Sequence, residues 1–235
     1  MSISGPKYSA VLWNEYHSGK IPVIPDIKLR SPQAGNLIQG RNPGELAEAL
    51  VAAGAPVLSV VTEPVYFGGS TDLLRLIVQA VSVPVLRKDF IKESEQVKES
   101  ADLGARAVLL IAAMLERPQL FKLVEESLML GLEPLVEAHN EAEIMSVKEL
   151  ELNMIGINNR SIVELEMDDG SVNTTEKLAG LIHPGSLIIS ESSISSSPDV
   201  QRAMAAGAHA VLVGTAILQA PDPAKMYRRL SETRW

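Results

Sequence analysis

The sequence has no cysteine and few aromatic residues, which make up 4% of its 235 positions. Without cysteine the chain can form neither a disulfide framework nor a thiolate metal site, and the small cores that need such links belong to much shorter chains. The four histidines include no pair at the spacing of metal ligands, and His209, between two alanines, is expected to be structural. We therefore expect no metal site, and the cytoplasm is the natural compartment.

Long apolar segments and a surplus of basic residues are also missing. The apolar run over residues 107–114 is far shorter than the roughly 20 residues that span a bilayer, and the N-terminus lacks the apolar core of a secretion signal. Acidic side chains number 29 against 21 basic ones, and the net charge of −8 repels phosphate backbones and anionic membrane surfaces. We therefore expect neither nucleic acid nor membrane as a partner.

What the chain does contain is an internal recurrence, in which a helical stretch ends in glycine and leads directly into a short apolar strand. The glycine fits a helix C-terminus, where the backbone turns through positive φ. Three copies are clear and a fourth is weaker, and their glycines are Gly54, Gly104, Gly207 and, in the weaker copy, Gly131. This recurrence indicates repeated helix-to-strand units.

Eight apolar runs are candidate strands: 22–27, 56–61, 83–86, 107–111, 134–137, 153–157, 187–190 and 210–213. Dividing 235 residues by eight gives about 29 per unit, which suits a strand with its crossover helix. The runs are nearly continuous in apolar residues, as expected for strands buried on both faces. We predict an α/β fold, a single-domain (βα)8 TIM barrel with a short N-terminal helical extension before the first strand. An open doubly wound sheet is disfavoured, because no glycine-rich loop follows the first strand.

Polar residues collect at the C-terminal ends of these predicted strands. Aliphatic side chains fill the interior of such a barrel, so a charged residue in the last turn of a strand points to the mouth. Lysines and carboxylates around one cavity suit proton transfer on a polar substrate, and a Schiff-base lysine is the other interpretation. The strand-end residues are Asp26, Lys28, Glu63, Lys88, Asp89, Glu137, Asn158, Arg160 and Glu191.

The ends of the last two predicted strands indicate an anion site. A serine-rich stretch, 190–198, follows the seventh strand, and Gly214 and Thr215 follow the eighth, ahead of a predicted short helix. Backbone N–H groups at such a helix start can bind phosphate without a basic side chain. A packing glycine is an equally good interpretation of Gly214 alone. Together these features predict a phosphorylated small-molecule substrate.

Seven strand ends, in order, resemble those of the indole-3-glycerol phosphate synthase family of tryptophan biosynthesis, and the likeness extends from about residue 8 to the C-terminus. The matching segments read IPDIKLRSP, VVTEPVYFGGS, VPVLRKDFIKESEQ, GLEPLVEAHNEAE, IGINNRSI, ISESSI and VLVGTAIL. The resemblance implies conversion of 1-(2-carboxyphenylamino)-1-deoxyribulose 5-phosphate to indole-3-glycerol phosphate, with release of CO2 and water. It implies no cofactor, and other enzymes of the tryptophan pathway are the candidate protein partners.

The resemblance also assigns roles to individual residues. Lys88 would be the general acid and Glu137 the base, while Lys28 would pair with the substrate carboxylate or share the acid role. Asp26 stands at the first-strand acidic position, and Asn158 would orient the substrate. The remaining implied binding residues are Arg160 and Glu191 in support, Ser31, Ser192, Ser193, Gly214 and Thr215 near the phosphate, and Phe67 on the aromatic ring.

The chain departs from the family pattern in three places. Asp26 replaces a glutamate, and one methylene less withdraws the carboxylate by about 1.3 to 1.5 Å. Ser193 replaces a glycine where the backbone should approach phosphate closely. About 21 residues precede the first predicted strand, fewer than the family's usual helical segment over the site, so a more open mouth is expected.

Two other hypotheses remain open on the sequence. One is a diverged relative that acts on another arylamino sugar phosphate, as an isomerase or a Schiff-base aldolase. The other is a non-catalytic barrel that binds a phosphorylated metabolite or a partner enzyme. Retention of Lys28, Lys88, Glu137 and Asn158 together argues against the second.

Overall fold

Eight parallel strands close into a barrel in the computed structural model, which describes residues 5–160 and 171–233. The order around the barrel is β1-β8-β7-β6-β5-β4-β3-β2, with β2 again paired to β1. The strands are β1 (Val23–Ile27), β2 (Leu58–Val61), β3 (Val85–Lys88), β4 (Ala107–Ile111), β5 (Glu133–Ala138), β6 (Met154–Asn158), β7 (Leu187–Glu191) and β8 (Ala210–Val213). The predicted (βα)8 barrel is confirmed.

The strand boundaries lie within two residues of the predicted ones. β2 and β3 both begin two residues later than predicted, beyond Pro56 and Pro84. Proline has no N–H to donate to the ladder, so a strand of a closed sheet begins more readily after it. β3 also ends two residues later than predicted, at Lys88, which lies at the rim.

Helices surround the barrel, and several of them begin at a capping side chain. The Asn42 side chain accepts from the N–H groups of Gly44 and Glu45, and the Ser70 hydroxyl accepts from the N–H of Leu73. The recurring glycines have positive φ, as expected: 110° at Gly54, 89° at Gly104, 79° at Gly131 and 103° at Gly207. The helices are α1 (Tyr8–His17), α2 (Pro43–Ala52), α3 (Thr71–Ala80), α4 (Ser94–Asp102), α5 (Arg117–Met129), α6 (Glu141–Val147), α7 (Asn173–Leu178), α8 (Ser197–Ala205), α9 (Thr215–Gln219) and α10 (Pro223–Ser231), with 3-10 turns at Ala112–Met114 and Ala179–Leu181.

Helix α1 closes the barrel at the end opposite the mouth. Tyr8 and Leu12 are fully buried in the apolar cluster that fills the barrel, which receives residues from seven of the eight strands and Val57 from just before β2. The backbone N–H and the hydroxyl of Ser9 donate to the carboxylate of Glu133, the first residue of β5, at 2.9 and 2.6 Å. His209 packs on the rings of Trp13 and Tyr16, so it has the structural surroundings that were expected.

A larger apolar cluster lies between the barrel and its outer helices, so the strands are covered on both faces. After β1 the chain forms a small antiparallel pair that the sequence did not predict, Arg30–Ser31 with Gly35–Asn36. Among the described helices, none has the length and apolar character needed to cross a bilayer.

Candidate active site

A single cavity at the C-terminal ends of the strands brings together the predicted site residues except Ser31, which is buried in the small antiparallel pair beside Pro32. Apolar side chains such as Phe90, Ile111 and Ile194 complete its walls. The predicted residues that line it are Asp26, Lys28, Phe67, Lys88, Glu137, Asn158, Arg160, Glu191, Ser192, Ser193, Gly214 and Thr215.

Lys88 lies between two buried carboxylates at the centre of this cavity. Its Nζ is 3.1 Å from Oε2 of Glu137 and 2.6 Å from Oε2 of Glu191. The three side chains come from β3, β5 and β7, which are alternate strands of the barrel. Inward residues from alternate strands share a layer, and here that layer at the rim is charged.

The charges of this trio determine one another. Burial acts to lower the pKa of Lys88, but the negative charges of Glu137 and Glu191 outweigh it and raise that pKa above its usual value. Burial acts to raise the pKa of Glu137, but Lys88 and then His139 outweigh it and hold that pKa below its usual range. For Glu191, burial together with the charge of Glu137 outweighs Lys88 and raises the pKa to about 7. One ammonium therefore faces a firmly ionised carboxylate and one that titrates near neutrality.

Asp26 is fixed at the wall formed by β1 and β2. The Ser59 hydroxyl, opposite it in the strand pairing, donates to its Oδ1 at 2.6 Å, and the residue is buried. Gly214, at the end of β8, packs closely here, since a Cβ at that position would lie 3.1 Å from the carbonyl oxygen of Asp26 and 3.3 Å from Oδ2. The glycine therefore has a packing role against β1 in addition to its place in the cavity wall.

Lys28 and Phe67 meet on another side of the mouth, where Nζ lies 5.4 Å from the ring centroid. The loop that carries Phe67 is held by Glu63, whose carboxylate accepts from the N–H groups of Val65, Tyr66 and Phe67 at 2.7, 2.7 and 3.1 Å. Glu63 therefore lines the cavity, and its role there is to support the loop that carries the aromatic ring of Phe67.

Asp89 also lines the cavity and is engaged by its neighbours. It accepts from the Thr62 hydroxyl and from the N–H of Phe90, and it forms an ion pair with the buried Arg87. Because Arg87 is bound in turn to Glu99 on α4, this network ties the end of β3 to a surrounding helix.

In the loop after β7, two serines adopt a backbone conformation that is more typical of glycine. Ser192 has φ of 66° and Ser193 has φ of 58°, both in the left-handed region. Such angles cost an L-residue roughly 1–2 kcal/mol compared with the right-handed region. Ser193 therefore adopts a backbone conformation that glycine, which the family resemblance implies at this position, adopts more readily.

The sequence reasoning did not identify His139 as part of the site. Its Nε2 lies 3.3 Å from Oε1 of Glu137, and its ring is 11% exposed. The one available signal was position, because His139 follows Glu137 by two residues, and side chains two apart share a face of an extended chain. Over residues 5–160 and 171–233 no cluster of three or more His, Asp or Glu side chains could hold a metal ion.

Comparison with known proteins adds independent findings. A family model described as "Indole-3-glycerol phosphate synthase" matches residues 6–230. The chain is similar to the indole-3-glycerol phosphate synthase of Thermococcus kodakarensis, with 44% identity over 215 residues that cover 91% of this chain and 93% of the relative. It is also similar to that of Pyrococcus furiosus, with 42% identity over 214 residues that cover 91% and 92% of the two chains.

A solved structure supports the fold alone. The N-acetylmannosamine-6-phosphate 2-epimerase from Clostridium perfringens superposes with a TM-score of 0.66 at 15% sequence identity. The match covers 91% of this chain and 93% of the epimerase.

Proposed function

The chain belongs to the indole-3-glycerol phosphate synthase family, and from that premise we propose how its residues carry out the family's reaction. The reaction is the decarboxylative ring closure of tryptophan biosynthesis, and the enzyme is a carboxy-lyase. Its substrate is the phosphorylated arylamino sugar 1-(2-carboxyphenylamino)-1-deoxyribulose 5-phosphate. In the reaction the aromatic ring carbon attacks the ketose carbonyl, the carboxylate leaves as CO2, and water is then lost.

The observation that carries the assignment of roles is the ammonium of Lys88 between Glu137 and Glu191. A carbonyl oxygen under attack gains negative charge, and a buried ammonium beside it both stabilises that charge and donates the proton. Lys88 is therefore the general acid for the carbonyl oxygen and for the departing hydroxyl. Glu191 lies 2.6 Å from Nζ and has a pKa of about 7, so both of its protonation states are populated at neutral pH and it can return a proton to the lysine.

Glu137 is the general base that removes the proton lost during dehydration. Its pKa is held low, so the group is ionised and ready to accept a proton when the substrate arrives. A low pKa alone makes a weak base. When the substrate binds, however, its negative carboxylate and phosphate raise the pKa of Glu137. Asn158, on the neighbouring strand β6, completes this side by hydrogen bonding to Glu137 and to the N–H of Arg160.

The other cavity residues bind the ends of the substrate. Lys28 takes the aryl carboxylate and Phe67 packs on the aromatic ring, since the two already lie against each other. Ser192, Ser193 and the backbone around Gly214 take the phosphate on the opposite wall. Asp26 lies at the base of the mouth, where it adds negative charge beside Lys88.

The Schiff-base alternative finds no support in the charges around Lys88. A lysine must be neutral to attack a carbonyl, whereas the two carboxylates beside Lys88 hold it protonated.

A cytoplasmic location is also part of the proposal, because the chain has no cysteine to form disulfides.

The test is turnover of the carboxyphenylamino deoxyribulose phosphate by purified protein, followed by the appearance of indole fluorescence. We expect saturable turnover without added metal or cofactor. Lys122→Met, which removes an exposed lysine on α5, is the matched control for Lys88→Met and should retain full activity. Absence of indole fluorescence at high concentrations of folded wild-type protein would overturn the proposal.

A further inference from the structure

The imidazole of His139 lies between two carboxylates at the edge of the cavity. Nε2 is 3.3 Å from Oε1 of Glu137, and Nδ1 is 3.0 Å from Oε2 of Glu143 in the first turn of α6. Glu143 is itself fixed, because it also accepts from the backbone N–H of His139 at 2.8 Å and from the side-chain amide of Asn140. The ring therefore has one well-defined orientation.

This arrangement favours the doubly protonated ring. Each nitrogen faces a carboxylate oxygen, and a neutral imidazole has only one N–H to offer. Burial acts to lower the pKa of His139, but the hydrogen bonds and charges of Glu137 and Glu143 outweigh it and raise that pKa to about 9. The pKa of Glu143 is lowered by the same contact. At neutral pH the ring is an imidazolium and both carboxylates are ionised.

Glu137 consequently has a cation on each of its oxygens. Lys88 holds Oε2 at 3.1 Å, and His139 lies at Oε1. A base that must take a proton from one point of the substrate needs a fixed carboxylate plane, and misplacement by about 1 Å can cost a hundredfold in rate. Lys88 holds one oxygen of this buried carboxylate, and His139 is the charged group that faces the other.

We propose that His139, as an imidazolium, is a positioning residue for Glu137, and that Glu143 sets the pH at which this support is lost. The inference rests on the proposed function, in which Glu137 is the general base. On this proposal turnover falls at high pH because His139, which does not line the substrate cavity, loses its proton.

The sign of the effect follows from the groups that face this cluster. When His139 loses its proton at high pH, the ring no longer carries the positive charge that faces Oε1 of Glu137, and turnover falls. From the barrel side the cluster faces Lys88, Glu191 and Asp26, and from α6 it faces Glu143. Lys88 stays protonated through this range because its pKa is raised, and Glu191 titrates about two pH units lower. The alkaline limb therefore reports His139.

The decisive variant is Glu143→Gln, which removes one charge at nearly constant size on a residue that does not line the cavity. We expect kcat at pH 7 within about threefold of wild type and an alkaline limb moved down by about one pH unit, as for loss of one close opposite charge. Glu141→Gln is the matched control, since Glu141 is exposed in the same turn of α6, and it should leave the limb in place. His139→Gln should lower kcat more than it raises KM and abolish the limb.

A second readout does not depend on turnover. The imidazole resonances of His139, assigned by their loss in His139→Gln, are followed against pH in the substrate-free protein. We expect a midpoint near 9 in the wild type and a lower one in Glu143→Gln. A wild-type midpoint at or below the ordinary 6.5 would overturn the inference without any variant. A limb that stays in place while the Glu143→Gln midpoint falls would do the same. If the wild type shows no turnover, the proposed function fails, and the titration still decides whether His139 is the imidazolium.

Discussion

Gly156 in β6 has no side chain because the Glu191 carboxylate occupies that space. A Cβ built on Gly156 would lie 2.2 Å from Oε1 of Glu191 and 3.6 Å from a methyl carbon of Leu135. Glu191 is 1% exposed, and its other oxygen is bound to Lys88. Gly156→Ala therefore pushes directly on the carboxylate that holds the general acid.

The size of the effect follows from these distances. Ordinary contact with a Cβ begins at 3.4 Å, so the carboxylate oxygen must move by about 1.2 Å. Displacement on this scale in a catalytic group can cost roughly a hundredfold in rate. We expect kcat/KM to fall about a hundredfold, and overpacking in the barrel to destabilise the fold by about 1–3 kcal/mol. A destabilisation of this size leaves most of the protein folded, so unfolding would not account for the fall in kcat/KM.

The assay compares kcat/KM and thermal midpoint for Gly156→Ala and for Gly180→Ala. The control position is exposed, lies in a 3-10 turn, and has no atom within 4 Å of a built Cβ. In a Glu191→Ala background the added Gly156→Ala change should cost little further activity, because the obstructing carboxylate is gone. Activity of Gly156→Ala close to wild type, or equal further losses in both backgrounds, would refute this reasoning.

Three further substitutions test other parts of the site. Lys88→Met should abolish turnover, and measurable turnover would remove Lys88 from its role. Because it leaves two buried carboxylates without the lysine's charge, it should also lower the free energy of unfolding by about 3–5 kcal/mol at pH 8 and by less at pH 5. Ser193→Gly should raise the free energy of unfolding by roughly 1 kcal/mol by relieving the left-handed backbone, whereas Ser193→Ala, which keeps the Cβ, should not, and equal effects would contradict the argument. Asp26→Glu should raise kcat by carrying the carboxylate further into the mouth, and a clear fall in the kinetic assay would instead indicate a pocket fitted to Asp26 by its bond to Ser59.

The barrel could be predicted because its signals are local. Each strand is an apolar run buried on both faces, and glycines such as Gly104 and Gly207 mark the helix ends before them. The convergence of Lys88 and Glu137 then follows from topology, since parallel strands of a barrel all end at one rim. No knowledge of long-range packing is needed for either step.

The remaining features depend on contacts between distant parts of the chain. Nothing local distinguishes Glu63, which supports a loop, from Glu137, which faces Lys88, because both are acidic residues at strand ends. The surroundings of His139 require the meeting of a strand end with Glu143 on the next helix. Side-chain partners of this kind are set by three-dimensional packing, which the order of residue types leaves open.

The seating of α1 bears on the order in which the molecule assembles. The apolar cluster that receives Tyr8 and Leu12 contains residues from seven of the eight strands, β1 and β8 among them, and the acceptor for Ser9 is Glu133, 124 positions further along the chain. That cluster is complete only after β8 has paired with β1. The first helix to leave the ribosome must therefore wait for the last strand before it can dock.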